Sequence, residues 1–197
     1  MSEKTNALEY IQKTAEESIQ IKRRFVEEGA ETLVAATAAM AESIHSGGKI
    51  LIFGNGGSAA DSQHMAAEMI GRMLIERRPL PAIALTTDTS GLTAVGNDYG
   101  YDLVFQKQVQ GLCKKEDIVI AISTSGNSKN VLLGVESAKK LGAKVIGVTG
   151  GEGGELGRVA DFHLNTSLSQ NSSRAQETHI FIIHSLVDLL DRFYLKG

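Results

Sequence analysis

Leu8, Ile11, Ala15, Ile19, Ile21 and Phe25 recur at roughly helical steps through residues 3–28, and an alanine-rich stretch over residues 30–44 repeats the pattern. That spacing lines one side of a 3.6-residue turn and predicts two helices ahead of the rest of the chain. The pattern then changes. Residues 49–53, 82–86, 118–122 and 144–148 are short apolar runs, each followed by Gly, Ser, Thr, Asn or Asp, and a fifth run spans 161–165. Runs of that length without polar alternation suit strands covered on both faces. Helical spacing returns over residues 58–73, 90–97, 103–112, 128–140 and 176–195. This alternation predicts an α/β three-layer sandwich, a central parallel sheet of about five strands flanked by helices. One domain accounts for the chain: residues 1–47 as an N-terminal helical pair suited to oligomerisation, and residues 48–197 as the sheet-and-helix core. Pro79 and Pro81 mark a turn into the second strand, and the glycine-rich residues 149–154 read as a loop inside the domain. Ligands of parallel sheets gather beyond the carboxyl ends of the strands, so the loops after Phe53, Thr86 and Ile122 are the places to look.

Composition narrows the ligand. The 197 residues carry 20 basic and 23 acidic side chains, a net charge of −3. With the signs mixed along the chain there is no broad positive field for nucleic acid, and an anion must be bound locally. No apolar run approaches the roughly 20 residues that span a bilayer. Cys113 is the only cysteine, which excludes an intrachain disulfide and suits a reducing cytoplasm.

Two loops offer local anion sites. Gly54, Asn55, Gly56, Gly57 and Ser58 lie between a strand and a helix that Ser58 could cap. Gly54, Gly56 and Ala59 also fit a dinucleotide-binding spacing, but the acidic residue expected about 20 positions on is not evident, since Glu76 sits among Arg77, Arg78 and Pro79. The second loop runs Ser123, Thr124, Ser125, Gly126, Asn127, Ser128, again between a strand and a helix. Hydroxyl donors and the amides of a helix start make a phosphate site without a lysine. Neither loop carries the Gly-Lys-Ser or Gly-Lys-Thr of a Walker-type loop.

Together these loops resemble the phosphosugar-binding signature of the sugar-isomerase (SIS) superfamily. With Gln63, His64 and Glu68, the run from Leu85 to Asp88, Gly96 to Asp98, and Arg174, Gln176, Glu177 and His184, the chain resembles the phosphoheptose isomerases in order and spacing over nearly its whole length.

The residues themselves suit aldose–ketose isomerisation, which needs a base at the carbon beside the carbonyl and a group to manage charge on the enediolate oxygens. His64 and Glu68, four apart, share one face of the helix that follows the first loop. Such a pair is commonly a solvated surface contact. His184 lies in the apolar stripe of Ile180, Ile183 and Val187, where a histidine is commonly a satisfied core residue, and Gln176 precedes it by roughly 12 Å of ideal helix.

The resemblance implies sharper roles. Glu68 matches the family's general base and His184 the second proton-transfer residue. Asn55, Gly56, Gly57, Ser58, Glu68, Asn97, Asp98, Ser123, Thr124, Ser125, Ser128 and Gln176 match substrate-binding positions, with the serine loop holding phosphate. His64, Glu68, Gln176 and His184 match zinc ligands. Ala67 and Ser173 replace a Glu and an Asp found in some relatives. The implied reaction converts sedoheptulose 7-phosphate to D-glycero-D-manno-heptose 7-phosphate, in a homotetramer with active sites between subunits. Related SIS proteins act as non-enzymatic adaptors of the replication initiator, and a sugar-phosphate sensor is a further alternative. Retention of both Glu68 and His184 favours the enzyme.

Overall fold

The structure, a computed structural model, describes residues 3–195. Five strands, β1 (Ile50–Gly54), β2 (Ala82–Ala84), β3 (Ile118–Ser123), β4 (Lys144–Gly150) and β5 (Phe162–Thr166), form one sheet in the order β2-β1-β3-β4-β5. Every neighbouring pair is parallel. Within β1, Ile50 and Ile52 face one side while Leu51 and Phe53 face the other, and all four are buried. That is the two-sided burial the apolar runs predict. β2 departs from it: as an edge strand it leaves Ile83 39% exposed.

One face of the sheet is covered by α1 (Glu3–His45), α2 (Gly57–Ile70) and α7 (Ser172–Leu189), whose Phe25, Met40, Met65, Met69, Ile183 and Leu186 join one core. On the other face lie α3 (Thr89–Tyr99), α4 (Val104–Leu112), α5 (Lys129–Lys140) and α6 (Gly154–Val159). Phe105 of α4 stacks on Phe53 there, with ring centroids 4.9 Å apart.

The expected N-terminal pair is one continuous helix of 43 residues. Gly29 does not break it, because one interior glycine costs only about 1 kcal/mol, while Ile21, Phe25, Leu33 and Met40 are buried on either side of it. The Phe25 ring also occupies the space where a Gly29 side chain would stand. At the other end, α7 begins at Ser172, ahead of the expected 176, because Asn171 caps it by accepting from the Arg174 amide. Beyond Leu189 the chain continues as a π-helical turn, Leu190–Tyr194.

The strand order reverses direction at β1, whose neighbours are β2 and β3. The connections leaving β1 and β3 diverge from adjacent strand ends there, which is where parallel sheets open a ligand crevice.

Candidate active site

Both phosphate-loop candidates sit at this switch point. Gly54 pairs with Ile122 across β1 and β3, and a side chain at Gly54 would collide with the Ile122 carbonyl. In the first loop Gly56, at φ 57°, is the residue that caps α2, and the helix begins at Gly57. Ser58 therefore is not the cap the sequence suggests: the left-handed turn at Gly56 starts the helix earlier, and buried Ser58 lies in the first turn.

The second loop turns on Gly126, at φ 67°, with its amide donating to the Ser123 carbonyl at 3.0 Å. The Ser123 and Ser128 hydroxyls are 3.1 Å apart. Thr124 and Ser125 open onto a cavity of about 360 Å³ whose far wall is Ser169, Gln170, Asn171 and Ser172. That wall was not marked in the sequence, although its run of polar residues is the available signal. The β4–α6 loop backs the phosphate loop: the Gly150 amide donates to the Thr124 carbonyl (3.0 Å), the Leu156 amide to Gly126 (2.9 Å), and the Glu155 amide to the Asn127 side chain (3.0 Å).

Asn55 ties the two loops together. Its side chain exchanges hydrogen bonds of 2.8 and 3.0 Å with that of buried Asn130 on α5, and the Tyr101 hydroxyl donates to it at 3.1 Å. Its amide is thus engaged within the protein. Neither Asn130 nor Tyr101 stood out in the sequence, since each looks like an ordinary helix-end polar residue.

His64 and Glu68 project from α2, and His184 from α7. The His64 Nε2 lies 3.2 Å from Glu68 Oε1 and 3.2 Å from His184 Nε2. One ligand atom from each of the three falls within 4.8 Å of the others. They share a cavity of about 500 Å³ whose apolar wall includes Met73, Leu74 and Phe181. A ring nitrogen carries either one proton or one lone pair in its plane, so His64 Nε2 cannot serve both neighbours with a single hydrogen bond. Two imidazoles and a carboxylate converging on one point are a donor set that fits zinc. Glu68 and His184, expected as a catalytic pair, thus meet in one cavity. Gln176 lies against the first loop, where a side chain at Gly57 would overlap its amide. Asn97 and Asp98, hydrogen-bonded to one another at 2.8 Å, are exposed at the end of α3 and line neither cavity.

Two ionisable groups beside these helices are shifted by burial. Asp61, one turn before His64, is pushed up to about 6 by desolvation, partly offset by His64. His179 on α7 is fully buried, its Nε2 is 3.0 Å from the Thr149 carbonyl, and desolvation lowers it to about 4. A neutral ring donating from Nε2 fits that position.

These features define a phosphosugar-binding α/β domain, and residues 13–150 match the model of the SIS domain family. A phosphoheptose isomerase of Aquifex aeolicus is 48% identical over 184 residues, 93% of this chain and 96% of its own length. The solved structure of a phosphoheptose isomerase from Francisella tularensis matches with a TM-score of 0.90 and 41% identity, over 94% of this chain and 98% of that one. That of phosphoheptose isomerase GmhA from Neisseria gonorrhoeae gives 0.88 and 44%, with the same coverage. The chain belongs to the phosphoheptose isomerase family of SIS domains.

Proposed function

We propose that the chain isomerises sedoheptulose 7-phosphate to D-glycero-D-manno-heptose 7-phosphate through an enediolate, the first step of nucleotide-activated heptose biosynthesis for lipopolysaccharide or other surface glycans. The observation that carries this reading is the meeting of His64, Glu68 and His184 in one cavity, on the helix that springs from the first loop and on α7, in a chain of this family.

In this scheme the phosphate rests against Ser123, Thr124, Ser125 and Ser128. Asn55, Gly56, Gly57 and Ser58 border the sugar from the first loop, and Gln176 stands beside them. Glu68 takes the proton from the carbon next to the carbonyl and returns a proton to the former carbonyl carbon, while His184 moves the hydroxyl proton between the two neighbouring oxygens. Met73, Leu74 and Phe181 give their cavity an apolar wall beside these groups. His64, Glu68, His184 and Gln176 are the residues that would hold zinc, which when bound supplies Lewis acidity for the sugar oxygens. A carboxylate held by a metal is a weaker base, so the role of Glu68 in proton removal is the point to test.

The exposed position of Asn97 and Asp98 supports a site completed by a neighbouring copy in a homotetramer. Among the described residues no helix is long and apolar enough to cross a membrane, and a cytoplasmic location suits the buried, unpaired Cys113.

The decisive experiment follows exchange of solvent deuterium into the substrate carbon beside the carbonyl. Glu68→Gln should lose exchange and turnover by roughly 10²- to 10⁴-fold; exchange at the wild-type rate would remove Glu68 as the base. Turnover of five- or six-carbon ketose phosphates in preference to the seven-carbon one would overturn the substrate assignment.

A further inference from the structure

Arg77 lies in the irregular segment between α2 and β2, yet its side chain is only 9% exposed. Its guanidinium reaches the open end of α2: Nη2 donates to the Glu68 carbonyl at 2.8 Å, and Nη1 to the carbonyls of Met69 at 2.8 Å and Gly71 at 2.6 Å. Glu68 and Met69 are among the last residues of that helix, whose carbonyls lack intrahelical partners, and a cation there also meets the negative end of the helix dipole. On its other edge, Nε donates to Asp191 Oδ1 at 2.8 Å. The Asp191 side chain is 1% exposed, and its Oδ2 is buried with no hydrogen-bond partner among the described residues. Asp191 stands in the π-helical turn that continues α7, seven residues beyond His184.

The two helices joined this way are the two that supply His64, Glu68 and His184. Apart from the His64–His184 approach and Gln176 against Gly57, the two helices pack through apolar side chains, with Met65 and Met69 in the same core as Ile183 and Leu186. Apolar contact is non-directional and tolerates sliding. A planar fork bonded to three carbonyls and a carboxylate fixes both distance and angle. A bare need for stability would be met as well by an apolar pair, since a buried ion pair often contributes little against well-packed hydrophobic residues.

We propose that Arg77 and Asp191 form a positioning clamp that holds α2 against α7 and sets the spacing at which His64, Glu68 and His184 converge. The clamp rests on the reading of those three residues as a metal-binding and proton-transfer group.

The test measures zinc affinity by chelator competition, together with kcat, KM and melting temperature, on the full chain. Asp191→Asn and Arg77→Lys should weaken zinc binding roughly 10- to 100-fold, the range for residues that orient metal ligands, and lower kcat while leaving KM for the sugar phosphate little changed. The double variant Arg77→Met/Asp191→Leu fills the space without the fork and without the unpaired buried charge that a single change leaves, and should show the same loss. Folded variants with wild-type zinc affinity, whatever their melting temperature, would overturn the clamp, as would a wild-type chain that binds no zinc. A wild type that binds zinc but leaves sedoheptulose 7-phosphate unchanged would refute the isomerase reading, while the zinc affinities would still decide the clamp.

Discussion

Asn130 is buried on the first turn of α5 and faces Asn55 through two reciprocal hydrogen bonds. Asp in its place keeps the shape but sets an acceptor against the Asn55 carbonyl oxygen, and Ala removes both bonds. Each buried hydrogen bond contributes about 1 kcal/mol, so loosening one loop against the other should raise KM for the sugar phosphate by roughly tenfold in Asn130→Ala with kcat largely retained. Inhibition by inorganic phosphate should weaken in step. Unaltered KM would mean that the loops keep their register without the amide pair. His179 permits a prediction about pH. Its folded pKa is about 4 against 6.5 for the free side chain, so as pH falls through that interval the unfolded chain takes the proton first and stability is lost, by up to about 3 kcal/mol. Asp61, raised from 3.8 to about 6, acts in the opposite sense and masks part of the loss. Urea unfolding of wild type and His179→Gln across pH 6.5 to 4 isolates the histidine: the stability advantage of the wild type should shrink as pH falls. At this scale the sequence was only partly legible. Glu68 and His184 stand out because their chemistry is rare in an apolar or alanine-rich stripe, whereas Asn130, Arg77 and Asp191 acquire meaning only from partners 75, 6 to 114 and 114 residues away.

The elements were more legible than their ends. Continuous apolar runs mark β1, β3 and β4 because a parallel sheet covered on both faces leaves no room for polar alternation, whereas the edge strands need less cover: β2 leaves Ile83 exposed and β5 alternates Phe162, His163, Leu164 and Asn165. Helix starts went astray where glycine conformation decides, as at Gly56, and the break expected in α1 is absent because packing on both sides outweighs one glycine. The serine loop shows a stricter requirement. Gly126 sits at φ 67°, and a side chain there would overlap the Gly153 carbonyl in the β4–α6 loop. Gly126→Ala thus faces about 1–3 kcal/mol of backbone strain plus displacement of the loop that backs Thr124. Thermal unfolding should register the destabilisation, and sugar-phosphate affinity should fall further than it does in Asn130→Ala. Wild-type affinity in a folded Gly126→Ala chain would show that the turn does not shape the phosphate site.

On the scale of the molecule, α1 is longer than the domain needs. Its 43 residues extend about 65 Å at 1.5 Å per residue, and burial begins at Ser18. Through residues 3–17 only Thr14 is partly covered, although Leu8, Tyr10 and Ile11 are 54%, 71% and 63% exposed. Apolar side chains turned to water along one helix form a surface suited to cover by another chain, and in the proposed homotetramer this stretch would pack against a neighbouring copy instead of an internal core. If four chains associate, light scattering should give about 84 kDa, four times the 21.0 kDa of one chain. Leu8→Asp combined with Ile11→Asp places charge at two of the most exposed apolar positions without touching the folded core, so the variant should keep its helical content yet run as a smaller species. Its activity should fall with its mass, because Asn97 and Asp98 reach no cavity with the acid–base residues of their own chain. A dissociated variant with wild-type turnover would show that one chain holds the complete site; a wild type of 21.0 kDa would show that the exposed N-terminal part of α1 has some other purpose.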